Sequence, residues 1–163
     1  MKKIIIVLAL ASISFVNAQA FKGKGDKKFQ IGVNTQNFAT GINASTDFGI
    51  GENMSYGFVA TYLLSVQETA IDPKFEDRFD VKARFNANIG NVFKMDKKMD
   101  IYPGLDLGTR NFGAHLGYRY FFTNGFGISA EAGVPIARYK TNISGYDYYN
   151  NQFVLNVSAC FNL

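Results

Sequence analysis

An all-β chain, folded as a single eight-stranded antiparallel up-and-down transmembrane β-barrel after a cleaved signal peptide, is what the sequence predicts, and three observations predict it. Apolar and polar residues alternate with period two in segment after segment from residue 28 to residue 162. One parity of every segment is free of charge and crowded with Phe, Tyr, Leu and Ile. Outside the first twenty residues no window carries an apolar stripe of helical period, so strands are the only regular element the pattern supports.

The leader reads "MKKIIIVLALASISFVNAQA", with Lys2 and Lys3, an apolar run from Ile4 to Leu10, and a small-residue end at Ala18-Gln19-Ala20. Those are the three parts of a secretory signal peptide. The apolar run is too short to span a bilayer. The chain therefore divides into a signal peptide over 1–20 and one barrel domain over 21–163. Cleavage after Ala20 fits the small-x-small rule, and cleavage after Ala18 fits it nearly as well, so both junctions stay open. No Cys stands at either, which argues against a lipid anchor. The only cysteine, Cys160, is expected to be a small packing side chain.

Strands are predicted over 28–38, 41–50, 55–66, 78–91, 100–109, 111–122, 126–137 and 151–162. The joint at Thr123-Asn124-Gly125 is expected to be a primed hairpin turn, because Asn-Gly tolerates positive φ. A second short connection falls at Glu52-Asn53. The segments 67–77 and 138–151 are long and polar, and if the first strand begins in the periplasm both face outward, as in bacterial barrels. Three joints fit that scheme less well: 38–41 and 109–111 are very short for outer loops, and 93–99 is long for a periplasmic turn.

The uncharged parity includes Ile31 and Val33 on the first strand, Phe58 on the third, Val81, Ala83 and Phe85 on the fourth, Leu105, Leu116, Ile128 and Val157 further on. The opposite parity includes Gln30, Asn34, Asn43, Asp47, Lys82, Arg84, Asn86, His115, Arg119, Glu131, Asn156 and Ser158. An eight-stranded barrel has an interior just wide enough for side chains to fill. The bulky apolar set does not fit there; turned outward to lipid it does, with polar residues in the lumen. Strands of about ten residues match the ~9–11 that cross a bilayer at a tilt. Aromatics gather at both strand ends, Phe29, Phe48, Tyr56, Phe122, Phe126 and Phe161 at one and Phe38, Tyr62, Phe79, Phe112 and Phe153 at the other, as interfacial girdles do.

The stretches "GKGDKKFQIGVN", "KARFNANIGNVFKMDKKMDIYPGLDLG", "NFGAHLGYRYFFTNGFG", "EAGVPIA" and the terminal "FNL" resemble a family of small uncharacterised outer-membrane β-barrel proteins of the Bacteroidota. The resemblance covers much of residues 21–163 and implies location and fold, not an activity. The ending is similar to the C-terminal strand by which such proteins are recognised for assembly, with Leu163 in place of the commoner terminal Phe.

The net charge of +4 gathers in two basic patches, Lys22, Lys24, Lys27 and Lys28, and Lys94, Lys97 and Lys98. Neither interleaves aromatics that would stack bases, so no nucleic-acid partner is expected. A single histidine leaves little basis for a metal site, and neither a metal nor another cofactor is expected. The charged residues of the inner parity, Asp47, Asp80, Lys82, Arg84, Asp106, His115, Arg119 and Glu131, are expected to pair as a lumen charge network, since a charge in a narrow barrel is costly unless paired. A Ser129–His115–Asp106 grouping has no motif behind it, and catalysis is not expected. Tyr146, Tyr148 and Tyr149 in the last long loop are the candidates for contact with a surface partner or glycan. The expected role is that of a small outer-membrane barrel with a structural, envelope-integrity or loop-display function. Its partners would be membrane lipid and, during biogenesis, the barrel-assembly machinery, and it would be a monomer. The alternative is a narrow pore or small-ligand conduit, and behind it a lipid A-modifying enzyme. Ala83→Arg, on the lipid parity, is expected to do more damage than Asn86→Arg in the lumen.

Overall fold

A computed structural model of the chain describes residues 19–67, 73–140 and 145–163. Residues 1–18, on which most of the expected leader falls, and part of the 67–77 and 138–151 connections lie outside the described residues. Eight antiparallel strands follow one another around a closed barrel: β1 (Lys27–Gln36), β2 (Ala39–Gly49), β3 (Met54–Val66), β4 (Phe79–Ala87), β5 (Met99–Gly108), β6 (Asn111–Phe121), β7 (Phe126–Arg138) and β8 (Val154–Asn162). β8 pairs back onto β1 from Lys28↔Asn162 to Gln36↔Val154, so no strand edge is left open.

The register turns the alternation of the sequence into two surfaces. Gln30, Asn34, Asn43, Ser45, Asp47, Arg84, Asn86, Arg119 and Ser158 are buried inside the barrel, while Ile31, Val33, Phe58, Phe85, Leu105, Leu116, Ile128 and Val157 are exposed outside it. Nothing in the described chain covers that outer apolar band. Among the described residues no helix is long and apolar enough to cross a membrane, a fact that leaves crossing by strands untouched.

One end of the barrel holds the connections 50–53, 88–98 and 122–125 together with the C-terminus; the other holds the connections at 37–38, 67–78, 109–110 and 139–153. We call these the turn end and the loop end. An aromatic belt runs along the turn end from β6 to β1: Tyr120 packs on Phe122 at 5.1 Å, Phe122 on Phe126 at 6.1 Å, Phe126 on Phe161 at 5.6 Å and Phe161 on Phe29 at 6.5 Å. At the loop end Phe75 sits between Tyr62 and Phe79, 5.3 and 5.4 Å from their ring centres.

Several details differ from the sequence expectation. β4 begins at Phe79 and ends at Ala87. Arg78, its predicted first residue, belongs instead to a short helix, α1 (Phe75–Arg78), whose start is held by the Lys74 backbone N–H donating to Asp77 Oδ2 at 2.8 Å. Beyond Ala87 the chain stays bonded to both sides for two residues, Asn88 N–H donating to the Asn53 carbonyl at 2.7 Å and Ile89 N–H to the Ile101 carbonyl at 2.9 Å, before the Gly90 N–H donates to Asp100 Oδ1 at 3.0 Å. β8 starts three residues late because Asn150, at φ 58°, turns the chain across the barrel mouth after a 3-10 turn over Gly145–Tyr148. The Thr123-Asn124-Gly125 joint is not a primed turn: neither Asn124 nor Gly125 has positive φ, and Phe122 and Thr123 both donate to the Phe126 carbonyl across a four-residue connection. The β4–β5 ladder is the shortest, from Lys82↔Gly108 to Asn86↔Gly104. It stops next to Pro103, which has no N–H to extend it.

Candidate functional site

The inner face assembles around Asp47 of β2. Arg84, brought opposite by β4, donates to Asp47 through Nε and Nη2 at 2.7 Å each, a bidentate pair. The same guanidinium donates through Nη1 to Glu131 Oε2 of β7 at 2.9 Å and through Nη2 to Ser45 Oγ at 3.2 Å. Asp47 accepts two further bonds, from Asn86 Nδ2 at 3.1 Å and Gln30 Nε2 at 3.2 Å. One cation thus ties three strands together across the lumen.

Nearer the turn end, Arg119 of β6 sits over the Tyr102 ring, its guanidinium carbon 4.0 Å from the ring centre. It donates to Asn88 Oδ1 at 2.8 Å and lies 3.3 Å from Asp100 Oδ2 and 3.6 Å from Asp47 Oδ2. Below it Lys28 pairs with Asp26 Oδ2 at 2.8 Å, donates to Asn162 Oδ1 at 2.6 Å and caps the Phe121 ring at 4.9 Å. Space for these large groups comes from glycine on the neighbouring strand. A Cβ on Gly117 would stand 2.1 Å from Tyr102 Cζ, and one on Gly104 would stand 2.4 Å from the His115 ring.

His115 faces Asp106 through Nδ1 at 3.0 Å and Asn86 Oδ1 through Nε2 at 2.9 Å. The Asn86 amide nitrogen is committed to Asp47 and Ser55, so its oxygen faces the ring and Nε2 is the donor. The Ser129–His115–Asp106 grouping does not assemble. Ser129 stands opposite Arg119 in the β6–β7 register while His115 stands opposite Gly133, four residues and roughly 13 Å along the strand at ~3.3 Å per residue.

All eight predicted network residues point into the lumen, but they form linked groups rather than one cluster. Arg84, Asp47, Glu131 and Arg119 make the centre, and Asp106 with His115 joins it through Asn86. Asp80 and Lys82 stand apart toward the loop end, 3.8 Å from each other, with Thr109 Oγ1 donating to Asp80. Sequence reasoning missed Asp26, Lys28, Asp100 and Tyr102. The last three lie on the inner parity one to three steps beyond residues that were identified, so extending the alternation to the strand ends would have found them. Among the described residues no group of three His, Cys, Asp or Glu side chains is placed to hold a metal ion.

Arg119, Tyr102 and Asn86 are each 0% exposed, and Asp47, Gln30 and Arg84 beside them 4% or less, so the middle layer of the barrel is close-packed with almost no contact with solvent. Above that layer a void of about 20 Å³ lies among Thr61, Lys82, Asp106, Glu131 and Asn156, room for about one water. Amides roof it: Asn34 donates to Asn156 at 2.7 Å, Gln36 to Asn34 at 2.9 Å, and Asn111 to the Asn150 carbonyl at 2.9 Å.

Outside this roof the loop end carries a cleft of about 400 Å³ between α1, the Thr109-Arg110 connection and the 3-10 turn. Arg110 Nη2 donates to the carbonyls of Glu76 at 2.6 Å and Asp77 at 3.1 Å, and Lys140 pairs with Asp147 at 3.0 Å across it. The three loop tyrosines part company here. Tyr149 is buried against Leu63 and Ala39, donating to the Gln67 carbonyl at 3.2 Å, and Tyr146 stacks on it at 5.7 Å. Tyr148 alone of the three stays exposed. Burial removes Tyr149 from the surface, which corrects its assignment as a contact residue.

Residues 12–163 match the model of a family described as "Family of unknown function (DUF6646)". No curated protein matches the chain. Among solved structures, a chain from the de novo design of transmembrane β-barrels is 10% identical with a TM-score of 0.48, over 87% of this chain and 98% of that one. Outer membrane protein G from Pseudomonas aeruginosa, solved by solution NMR, is 9% identical with a TM-score of 0.49, over 88% and 99%. At such identities the likeness concerns the fold alone.

Proposed function

The chain belongs to the family of unknown function DUF6646, and from that premise we propose that it is a small outer-membrane barrel that works as an inert, closed scaffold and offers its loop end to the surroundings. The observation that carries this reading is the pairing of an uncovered apolar band on all eight strands with an interior whose middle layer is sealed. A soluble barrel of this size would bury its apolar face; here that face is outside, where only lipid makes it favourable. The sealed Arg119–Tyr102–Asn86 layer argues against the pore reading, because an open conduit leaves its lining residues in contact with water. The Asp106–His115 pair is read as structural, since Nε2 is held by Asn86 and Nδ1 is turned to Asp106 at 3.0 Å, away from any nucleophile among the described residues. Lipid and the assembly machinery are the proposed partners, and the barrel is proposed to act as a monomer, since its strand ring closes within one chain.

Envelope fractionation tests the reading: the protein should sediment with the outer membrane and run on gels as a heat-modifiable band, and recovery in the soluble periplasm would sink it. Planar bilayers separate scaffold from pore. No unitary conductance is expected, and a stable single-channel current that Arg84→Ala alters would replace the scaffold by the conduit. An unchanged lipid A mass profile on overexpression is expected; a deacylated product abolished by His115→Ala would make it an enzyme.

A further inference from the structure

Residues 19–21 are seated at the turn end in a way that bears on how the chain is processed. Ala20 is completely enclosed, packed on Phe121 and Cys160. Its backbone N–H donates to the Lys97 carbonyl at 2.7 Å. The Gln19 carbonyl accepts from Asn162 Nδ2 at 3.4 Å, and the Gln19 side-chain amide donates to the Phe21 carbonyl at 2.9 Å. Chain ends are poorly ordered unless tied down. This segment is tied to three separate parts of the barrel: the β4–β5 connection, β6 and β8.

Two junctions in the leader satisfy the small-x-small rule, Val16-Asn17-Ala18 and Ala18-Gln19-Ala20. They differ in what they leave on the folded protein. A cut after Ala20 removes the methyl group that covers Phe121 and Cys160, strips the Lys97 carbonyl of its donor, and opens the floor below Lys28. A cut after Ala18 keeps every one of these contacts. We propose that the Ala18–Gln19 peptide bond is the processing site, hydrolysed by signal peptidase so that Ala18 leaves as a carboxylate and Gln19 gains the new amine, and that Gln19-Ala20 is a permanent plug of the turn-end mouth. This rests on the export reading above, and it shortens the predicted leader by two residues.

The intact mass of the mature protein, expressed from its full gene and isolated from envelopes, decides the matter. A chain starting at Gln19 is expected, with or without the loss of one ammonia as the new amine closes on the glutamine side chain. A start at Phe21 overturns the proposal while leaving export intact, whereas a chain that keeps Met1 and stays in the cytosol overturns export itself. Pulse-labelling of Ala20→Leu gives a readout that does not depend on folding. Leucine at the end of a leader blocks cleavage there, so processing at the wild-type rate is expected if the cut lies after Ala18, and accumulation of the precursor overturns it.

Discussion

The two halves of the lumen are filled by different physics. In the turn-end half and the central layer, long cations are set against acids and rings: Arg84 on Asp47, Arg119 on Tyr102 and Asp100, Lys28 on Asp26 and Phe121. Ala20 and Cys160 close the floor beneath them. In the loop-end half the contacts are amide to amide, Lys82 meets its acid only at 3.8 Å, and a void the size of a water remains. A buried charge that loses its partner is left uncompensated, but an amide beside a water can bond to the water instead. The turn-end half should therefore be brittle and the loop-end half forgiving.

The strongest test of that contrast is Arg84→Ala. It leaves Asp47 and Glu131 facing each other without their shared cation, and a loss of about 3–5 kcal/mol is expected, read as a lowered urea midpoint of the purified barrel. A wild-type midpoint would remove the contrast altogether. Next comes the pair Asn86→Arg and Ala83→Arg. Ala83→Arg places a charge on the lipid face and should cost ~2–4 kcal/mol. Asn86 holds Asp47, Ser55 and His115 together with no exposure of its own, so Asn86→Arg is expected to cost at least as much. That reverses the ranking expected from the sequence, and finding Asn86→Arg the milder of the two would show a lumen looser than the one described. Gly117→Ala sharpens the picture on a smaller scale: the added methyl meets Tyr102 at 2.1 Å, an overpacking worth roughly 1–3 kcal/mol, and it should be relieved in a Tyr102→Leu background. Smallest of all, Asn156→Ala in the loop-end half removes the bond from Asn34 at 2.7 Å and a long one to Glu131 at 3.4 Å, both next to the void that a water can fill, and about 1 kcal/mol is expected. A collapse as large as that of Arg84→Ala would mean the two halves are not different in kind.

The separation of faces is tested by single cysteines in a Cys160→Ser background. Labels at 81, 83 and 85 should be quenched by lipid-soluble reagents and labels at 82, 84 and 86 should not. Protection of the odd set from both lipid and water would make the outer face a protein core.

What the sequence by itself determined is everything that depends on period. Alternation over 78–89 says that Val81, Ala83 and Phe85 share one face with no charge and that Lys82, Arg84 and Asn86 share the other, because successive side chains of a strand point oppositely whatever their neighbours are. The count and order of strands, the uncharged belt and the inward direction of all eight predicted network residues follow from the same rule. What it could not determine is which residue meets which. Asp47 and Arg84 are thirty-seven positions apart, and only the β2–β3–β4 register brings their side chains together. The same holds for Ala20 beneath Phe121 and Cys160, for Tyr149 folded under the loop end while Tyr148 stays out, and for Ser129 standing a full barrel layer away from His115. Parity is a local property of the backbone; partnership needs the register of every ladder between two residues, and that is decided only when the barrel closes.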